Sequence, residues 1–389
     1  MADTPQPFKF KFKFDKSLIQ DLQARLDQTR WPDEVNDDQW TYGVRLSYLR
    51  ELITYWRHHF DWHAMEARLN ALPHYQLELD GLDLHFIHAR SPHPNALPLI
   101  ITHGWPGSIV EFLELIPRLT NPERFGGSAE DAFHVVAPSL QGYGGSSPAQ
   151  VRGMSPLEIA KRHSRLMARL GYKRYLAQGG DWGSLVTQLT ATSDPEHCIG
   201  MHLNLVAPIP PADIENPMEL VREHEKAWLG KSQDYVNDGM GYYHIQRTRP
   251  QTLAYALNDS PVGWCAWVTE KFHAWTDCER EGHRDVRNAV SWDTLLTNIS
   301  LYWLTGTIAS SIRLYREQAQ AEATNDSVAV SIPTGVAVYP GEILRSPRDW
   351  VEKRYTLVHW HEATHGGHFA AMEQPQIFAE DLWQFRHHF

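Results

Sequence analysis

The chain has 389 residues, 42% of them apolar, and a formal net charge of −11 at pH 7. At roughly 100–200 residues per domain the length provides two or three structural units, and the acidic balance argues against nucleic acid or an anionic membrane as a partner. The N-terminus has no apolar signal region, no apolar run reaches about 18 residues, and Cys198, Cys265 and Cys278 fit no close metal spacing, so a soluble cytoplasmic protein without stable membrane insertion is expected.

Residues 8 to 14 alternate Phe and Lys, the period of a strand with one aromatic face and one lysine face. Amphipathic helical runs follow over Leu18 to Leu26, over Leu46 to Phe60, and from Asp61-Trp62-His63 to about Leu72-Pro73. Residues 1–92 are expected to form an N-terminal extension whose helices pack on the main domain. Leu77 to Leu79 and Leu82 to Ile87 read as a hairpin through Asp80-Gly81. Buried strands are expected at Pro98 to Thr102, Phe133 to Pro138, Tyr175 to Gln178 and around Met201 to Val206, with helices over Val110 to Leu119 and Pro156 to Leu170 between them. This alternation predicts an α/β fold with a mostly parallel sheet. The pattern breaks at Pro208-Ile209-Pro210-Pro211 and stays helical to about Gln320, including Met218 to Leu229 and Thr294 to Gln320. Strand character returns over Val328 to Val338 and Tyr355 to Trp360, and Phe369 to Met372 and Ile377 to Phe385 read as helix. Residues 93–207 and 321–389 are therefore read as two parts of one core, and 208–320 as a helical lid over the carboxyl ends of its strands, where open α/β sheets bind ligands.

Residues 171 to 185 carry the chemistry. A strand meets Gly179-Gly180-Asp181-Trp182-Gly183, and a helix follows from Ser184. This is the small-x-nucleophile-x-small turn that lifts one side chain above a sheet, with Asp where Ser is usual. A carboxylate is ionised at neutral pH and can attack an electrophilic sp3 carbon without a base, leaving an ester that water must cleave. That second step needs a base, a residue to orient it and donors for an oxyanion. His368, in Gly366-Gly367-His368-Phe369, is the candidate base. Glu342, after the strand ending near Val338, is the candidate acid, with Asp349 and Glu352 as competitors inside a helical stretch. The backbone N–H groups of Trp105 and Trp182 are the oxyanion-hole candidates.

Other motifs carry less. His361-Glu362-Ala363-Thr364-His365 matches a zinc-protease signature, but that needs both histidines on one helix, and here a strand-like run precedes and Gly366-Gly367 follows, so no metal is expected. The loop from Gly142 to Ser147 lacks the Gly-Lys-Ser/Thr of a phosphate loop and is expected at the rim of the site. Ser184 lies three residues past the elbow centre, which makes a serine esterase unfavoured.

The chain resembles the epoxide hydrolases of the microsomal type, with an α/β-hydrolase fold, along nearly its whole length. The matching segments are Arg30-Trp31-Pro32-Asp33, Asp61-Trp62, His103-Gly104-Trp105-Pro106-Gly107-Ser108, the Asp181 elbow, Asn258-Asp259-Ser260-Pro261-Val262-Gly263 and Gly366 to Ala371. The resemblance implies Asp181 as nucleophile, His368 as base and Glu342 as its orienting acid. It also implies two lid tyrosines that donate to the epoxide oxygen, at Tyr242, beside Tyr243, and at Tyr315. It implies a small-molecule epoxide and water as partners and no cofactor, and leaves a homodimer open. The microsomal members' N-terminal membrane anchor has no counterpart here, which implies a soluble member. A haloalkane dehalogenase with the same nucleophile, and a non-catalytic ligand-binding relative, are the alternatives. Trp264, Trp267 and Trp275 are expected to shape the substrate site.

Overall fold

The computed structural model describes residues 6–35, 40–322 and 330–389. The Phe/Lys alternation yields a strand, β1, only over Phe8–Phe10. Beyond it the backbone at Phe12 turns to a side chain: Phe12 N–H donates to Asn70 Oδ1 (2.9 Å) and its carbonyl accepts from Asn70 Nδ2 (2.8 Å). The alternation itself persists, with Phe12 buried and Lys9, Lys11 and Lys13 exposed. Three helices follow: α1 (Lys16–Asp27), α2 (Leu46–His58) and α3 (Trp62–Leu69). Asp15 and Asp61 cap α1 and α3 by accepting from backbone N–H groups of their first turns. Helix α2 buries Leu49, Leu52, Ile53 and Trp56, one face at helical spacing.

β2 (His74–Leu79) and β3 (Leu82–Ala89) form the expected hairpin. Its two-residue turn places Asp80 and Gly81 at φ 51° and 75°, as a turn matched to strand twist requires. β4 (Leu97–Thr102), α4 (Leu115–Thr120), β5 (Phe133–Pro138), α5 (Pro156–Arg169), β6 (Tyr175–Gly179), α6 (Trp182–Ser193) and β7 (Cys198–Leu203) then alternate. The helix expected from 110 to 119 is a 3-10 turn over Ile109–Phe112 followed by α4; Pro117 has no N–H to return to residue 113, so one continuous helix does not form.

The chain then leaves the sheet for α7 (Glu223–Asp234), α8 (Gly241–Thr248), α9 (Pro250–Asp259), α10 (Pro261–Trp275), a small hairpin β8 (Glu279–Arg280) and β9 (His283–Arg284), α11 (Trp292–Thr305) and α12 (Ile308–Glu322). The helix expected over 294–320 is divided at Gly306, whose φ of 65° caps α11 in the left-handed region. The chain returns through β10 (Val330–Val338), α13 (Arg348–Arg354), β11 (Tyr355–Glu362), α14 (Ala370–Glu373) and α15 (Pro375–Arg386). Positions 328 and 329 of the strand expected there lie outside the described residues.

The sheet order is β1-β2-β3-β5-β4-β6-β7-β10-β11. The six strands from β5 to β11 run parallel, and β1, β2 and β3 extend the sheet antiparallel on one side. β4 lies between β5 and β6, so strand order reverses there and opens a crevice at the carboxyl ends. β5 and β6 are buried along their whole length, which is why they read as continuous runs without alternation. Among the described residues no helix is long and apolar enough to cross a membrane. Cys198, Cys265 and Cys278 are buried and unpaired.

Candidate active site

The carboxyl ends of β4, β6, β10 and β11 deliver Trp105, Asp181, Glu342 and His368 to one place. Asp181 sits between β6 and α6 at φ 50°, ψ −127°, a strained conformation for a residue with a side chain. Tight packing holds it there. A Cβ on Gly183 would lie 1.9 Å from the Thr102 carbonyl oxygen, and one on Gly104 would lie 2.2 Å from Asp181 Oδ1. Neither the strand-to-helix turn at Gly183 nor the loop after β4 at Gly104 has room for a side chain.

The Asp181 carboxylate has two partners. Trp105 N–H donates to Oδ1 at 2.8 Å, and His368 Nε2 lies 3.3 Å from Oδ2. His368 Nδ1 is 2.8 Å from Glu342 Oε1, which also accepts from Ile343 N–H at 2.7 Å. His368 and Glu342 are buried. Burial alone would push the His368 pKa down, but the charges of Glu342 and Asp181 outweigh it and hold the imidazole well above its usual value. Trp182 is the first residue of α6, so its N–H is among those left unbonded at a helix start.

The loop carrying His368 is braced from outside the row. His368 N–H donates to the Trp275 carbonyl (2.9 Å), and the Trp275 ring stands edge-on to the imidazole, 5.0 Å between centroids. The buried Glu373 carboxylate accepts from Asp277 N–H (2.8 Å) and Phe369 N–H (3.0 Å), and burial pushes its pKa up to about 7.

Above Asp181 lies a cavity of about 680 Å³. Asp181, Trp182, Tyr235, Tyr242, Tyr243 and Tyr315 line its floor and wall, and Leu185, Leu205, Leu229, Val236 and Ile343 make it largely apolar. Tyr242 and Tyr315 are buried, Tyr243 only partly. Among the described residues Tyr315 Oη has no partner at good hydrogen-bond geometry, and Tyr242 Oη is paired with Tyr235 Oη at 2.9 Å. Burial and the neighbouring phenol and carboxylate groups raise both phenol pKa values well above 10, so both remain donors. Tyr243 instead lies under the Arg247 guanidinium, 5.3 Å from its ring centre.

Behind Asp181 is a second space of about 10 Å³, the size of a single water molecule. His368, Asn204, Gln178 and Glu111 border it. Glu111 was not visible as a site residue in the sequence. Burial pushes its carboxyl up to about 8; His368 and the backbone of Ser108 and Gly104 pull the other way, while Asp181 adds to the rise.

Two expectations fail here. Trp264, Trp267 and Trp275 do not line the large cavity. Trp264 is buried against Trp105 and Tyr302, Trp267 donates to Gln246, and Trp275 covers His368. The Gly142 loop also stays away from the cavity and packs on α12, where Tyr143 Oη donates to the Ser311 carbonyl at 3.0 Å. Asp349 and Glu352 sit on α13 away from His368, with Arg222 and Arg348 as partners. The other motifs stand as read. His361 and Glu362 belong to β11 and His365 to a bend, so no helix presents the two histidines together. The Ser184 hydroxyl is spent on the Leu205 carbonyl at 2.6 Å.

A nine-stranded, mostly parallel sheet with a carboxylate at its strand-to-helix elbow, a His on the loop after the last strand and helices inserted after β7 defines an α/β hydrolase. Residues 6–112 match the family described as epoxide hydrolase N terminus, and residues 98–235 match the alpha/beta hydrolase fold. A putative epoxide hydrolase from Stigmatella aurantiaca is 47% identical over 96% of this chain and 83% of its own length. Epoxide hydrolase 1 of Sus scrofa is 37% identical over 97% of this chain and 87% of its own. The structure of Aspergillus niger epoxide hydrolase superposes with a TM-score of 0.88 at 30% identity, covering 100% of this chain and 97% of that one. The chain belongs to the epoxide hydrolase family.

Proposed function

We propose that the site opens epoxides to vicinal diols in two steps, with Asp181 as nucleophile. Asp181 Oδ2 attacks an epoxide carbon, a C–O bond of the ring breaks, and an ester forms. The departing oxygen takes a proton from Tyr315 or Tyr242, phenols that stay protonated yet can donate to a developing alkoxide. The proton that the imidazole gives up on ester formation restores the tyrosine, and a water in the space behind Asp181 then gives a proton to His368 Nε2 and attacks the ester carbonyl; the bond from that carbon to Oδ2 breaks, and the diol leaves on Oδ2 with the proton returned by His368. The oxyanion develops on Oδ1, already facing Trp105 N–H, with Trp182 N–H as second donor. Glu342 holds the imidazole in the tautomer that accepts at Nε2, and Glu111 borders the water and positions it. The observation that carries this reading is the Asp181 carboxylate shared between Trp105 N–H and His368 Nε2.

Formation of the ester removes the Asp181 charge, one of the two carboxylate charges that hold the His368 pKa high. The imidazole then releases its proton more readily and becomes a base when one is needed. The apolar lining of the 680 Å³ cavity supports bulky lipophilic epoxides as substrates. We read 208–320 as the lid because it supplies Tyr242 and Tyr315, 1–92 as an extension packed on the core, and 93–207 with 321–389 as the core. Buried, unpaired cysteines support a cytoplasmic location, and the negative charge is against nucleic acid as partner.

The test is rapid-quench intact mass spectrometry after mixing with styrene oxide. The expected result is a transient adduct of substrate mass on the peptide holding Asp181, decaying to diol. A single turnover in heavy-oxygen water should place the label in Asp181; label in the diol would overturn the ester mechanism.

A further inference from the structure

A second cluster of ionisable groups lies on the sheet away from the cavity. His202 of β7 and His359 of β11 each pair in register with Gly335 of the strand between them. Gly335 leaves that strip open: a Cβ there would lie 2.6 Å from Phe385 and 2.9 Å from His202. Asp381 of α15 comes down into the opening. His202 Nε2 is 2.8 Å from Asp381 Oδ2, and His359 Nε2 is 2.6 Å from Asp381 Oδ1. His361, two residues along β11 and so on the same face, brings Nδ1 to 3.9 Å from Asp381 Oδ1. Its Nε2 is buried and has no partner among the described residues. His202 and Asp381 are essentially inaccessible, whereas the His361 side chain is 30% exposed and leaves a route from solvent.

We propose that His202, His359 and Asp381, with His361 at the rim, form a binding site for one zinc-class divalent ion that ties β7 and β11 to the C-terminal helix. Imidazole nitrogens with one carboxylate suit zinc, cobalt, nickel or copper, and do not suit magnesium or calcium. One ligand atom from each of His202, His359 and Asp381 falls within 4.8 Å of the others. A tetrahedral ion at about 2.0–2.2 Å from each donor needs them roughly 3.4 Å apart; the two imidazoles now contact different oxygens of Asp381, so the set has to draw in around one of them from within 4.8 Å. Nε2 of His202 and of His359 must carry no hydrogen to hold the ion, so each neutral ring moves its hydrogen to Nδ1 and exchanges its hydrogen bond to Asp381 for a bond to the ion. His361 is the first histidine of the motif that resembled a zinc-protease signature; its place here is on a strand, with partners far away in sequence. The site revises the expectation of no metal, and it stands apart from the hydrolytic reading.

The whole chain is stripped with a chelator, dialysed, and titrated at neutral pH with Co2+ and then Zn2+. Expected are one Co2+ per chain with the visible absorption of a four-coordinate nitrogen/oxygen site, its displacement by Zn2+, and a higher Tm with Zn2+ present. His359→Gln should weaken Co2+ binding at least about tenfold while leaving the hydrogen-bond pattern nearest to native. If that variant does not fold, His361→Gln at the rim serves, its folding checked by circular dichroism. No stoichiometric uptake by the unmodified chain overturns the site and leaves a hydrogen-bonded His–Asp–His clasp. Uptake that survives His359→Gln or His361→Gln, or that is lost only in His368→Gln, also overturns it, since the ion is then elsewhere.

Discussion

Neutralising any one member of the Asp181–His368–Glu342 row changes what the other two can do. Without His368 as base, Asp181 keeps its charge and its Trp105 partner, so the ester should still form. His368→Gln is expected to trap it, with deacylation slowed by about 10²–10⁴-fold and one substrate mass retained per chain in the intact spectrum. If that variant shows neither adduct nor turnover, the order of steps proposed for His368 is wrong. The tyrosines act in the other half-reaction. Tyr315→Phe or Tyr242→Phe should each slow ester formation about tenfold and the double variant about 10²–10⁴-fold, read as the rate of adduct appearance in single-turnover mixing. Tyr315 should matter at least as much as Tyr242, because its hydroxyl has no partner at good hydrogen-bond geometry among the described residues while that of Tyr242 already meets Tyr235. At this scale the sequence was most legible where the chemistry demands unusual neighbours. Asp181 sits among glycines because no side chain fits there, and His368 follows two glycines because Gly366 takes a φ of 107° and Gly367 passes close to the Trp275 carbonyl. Glu111 was hidden for the opposite reason: a Glu three residues after Ser108 looks like an ordinary acid in a first helical turn, and only the fold turns its carboxyl inward towards Asp181.

At the scale of elements, the elbow is held by contact between β4 and α6. Gly183→Ala forces a methyl group into the Thr102 carbonyl, which is backbone and cannot swing away. The cost should be about 1–3 kcal/mol or more, seen as a lower denaturation midpoint, and activity should fall further than stability as Asp181 moves from Trp105 N–H. Strand and helix existence was readable from periodicity, and most boundaries came within a few residues. The departures have local causes: the Asn70 side chain replaces a strand partner at Phe12, and Gly306 divides one helical run into α11 and α12. The tryptophans of α10 were misjudged because local sequence does not say which side of a helix faces a cavity. That depends on α10 packing beneath α8 and beside α11, and on Trp264 spending its indole N–H on the Ile299 carbonyl (3.1 Å). Sheet order was equally hidden, since the reversal at β4 depends on which strands pair across long stretches of chain.

Across the whole molecule, buried ionisable groups set opposite slopes of stability against pH. His103 (about 4), His163 (about 3), His88 (about 4) and His273 (about 4) are depressed, chiefly by burial. Their contribution is present above the unfolded value near 6.5 and is lost as pH falls towards the folded values, because the unfolded chain binds protons first. Glu111 (about 8) and Glu373 (about 7) are raised, again by burial, and His368 is raised by its carboxylates in spite of burial. Their contribution is complete below the unfolded value and is lost as pH rises through the folded one, because the folded chain then holds protons the unfolded chain has released. The four histidines outweigh the two glutamates in the window from about 4.5 to 6.5 where both sets act. Above about 6.5 only the raised groups remain in play. Tm should therefore peak near pH 6.5–7 and fall on both sides, the alkaline fall running to about pH 8 and beyond. Glu111→Gln, which cannot ionise, should flatten the alkaline limb and steepen the acid limb, because Glu111 opposes the histidines from about 4.5 upward. Thermal melts of both proteins from pH 5 to pH 9 test this. Parallel alkaline limbs would mean that Glu111 is already charged at neutral pH, and its part in holding the water near His368 would then be that of an ionised acceptor.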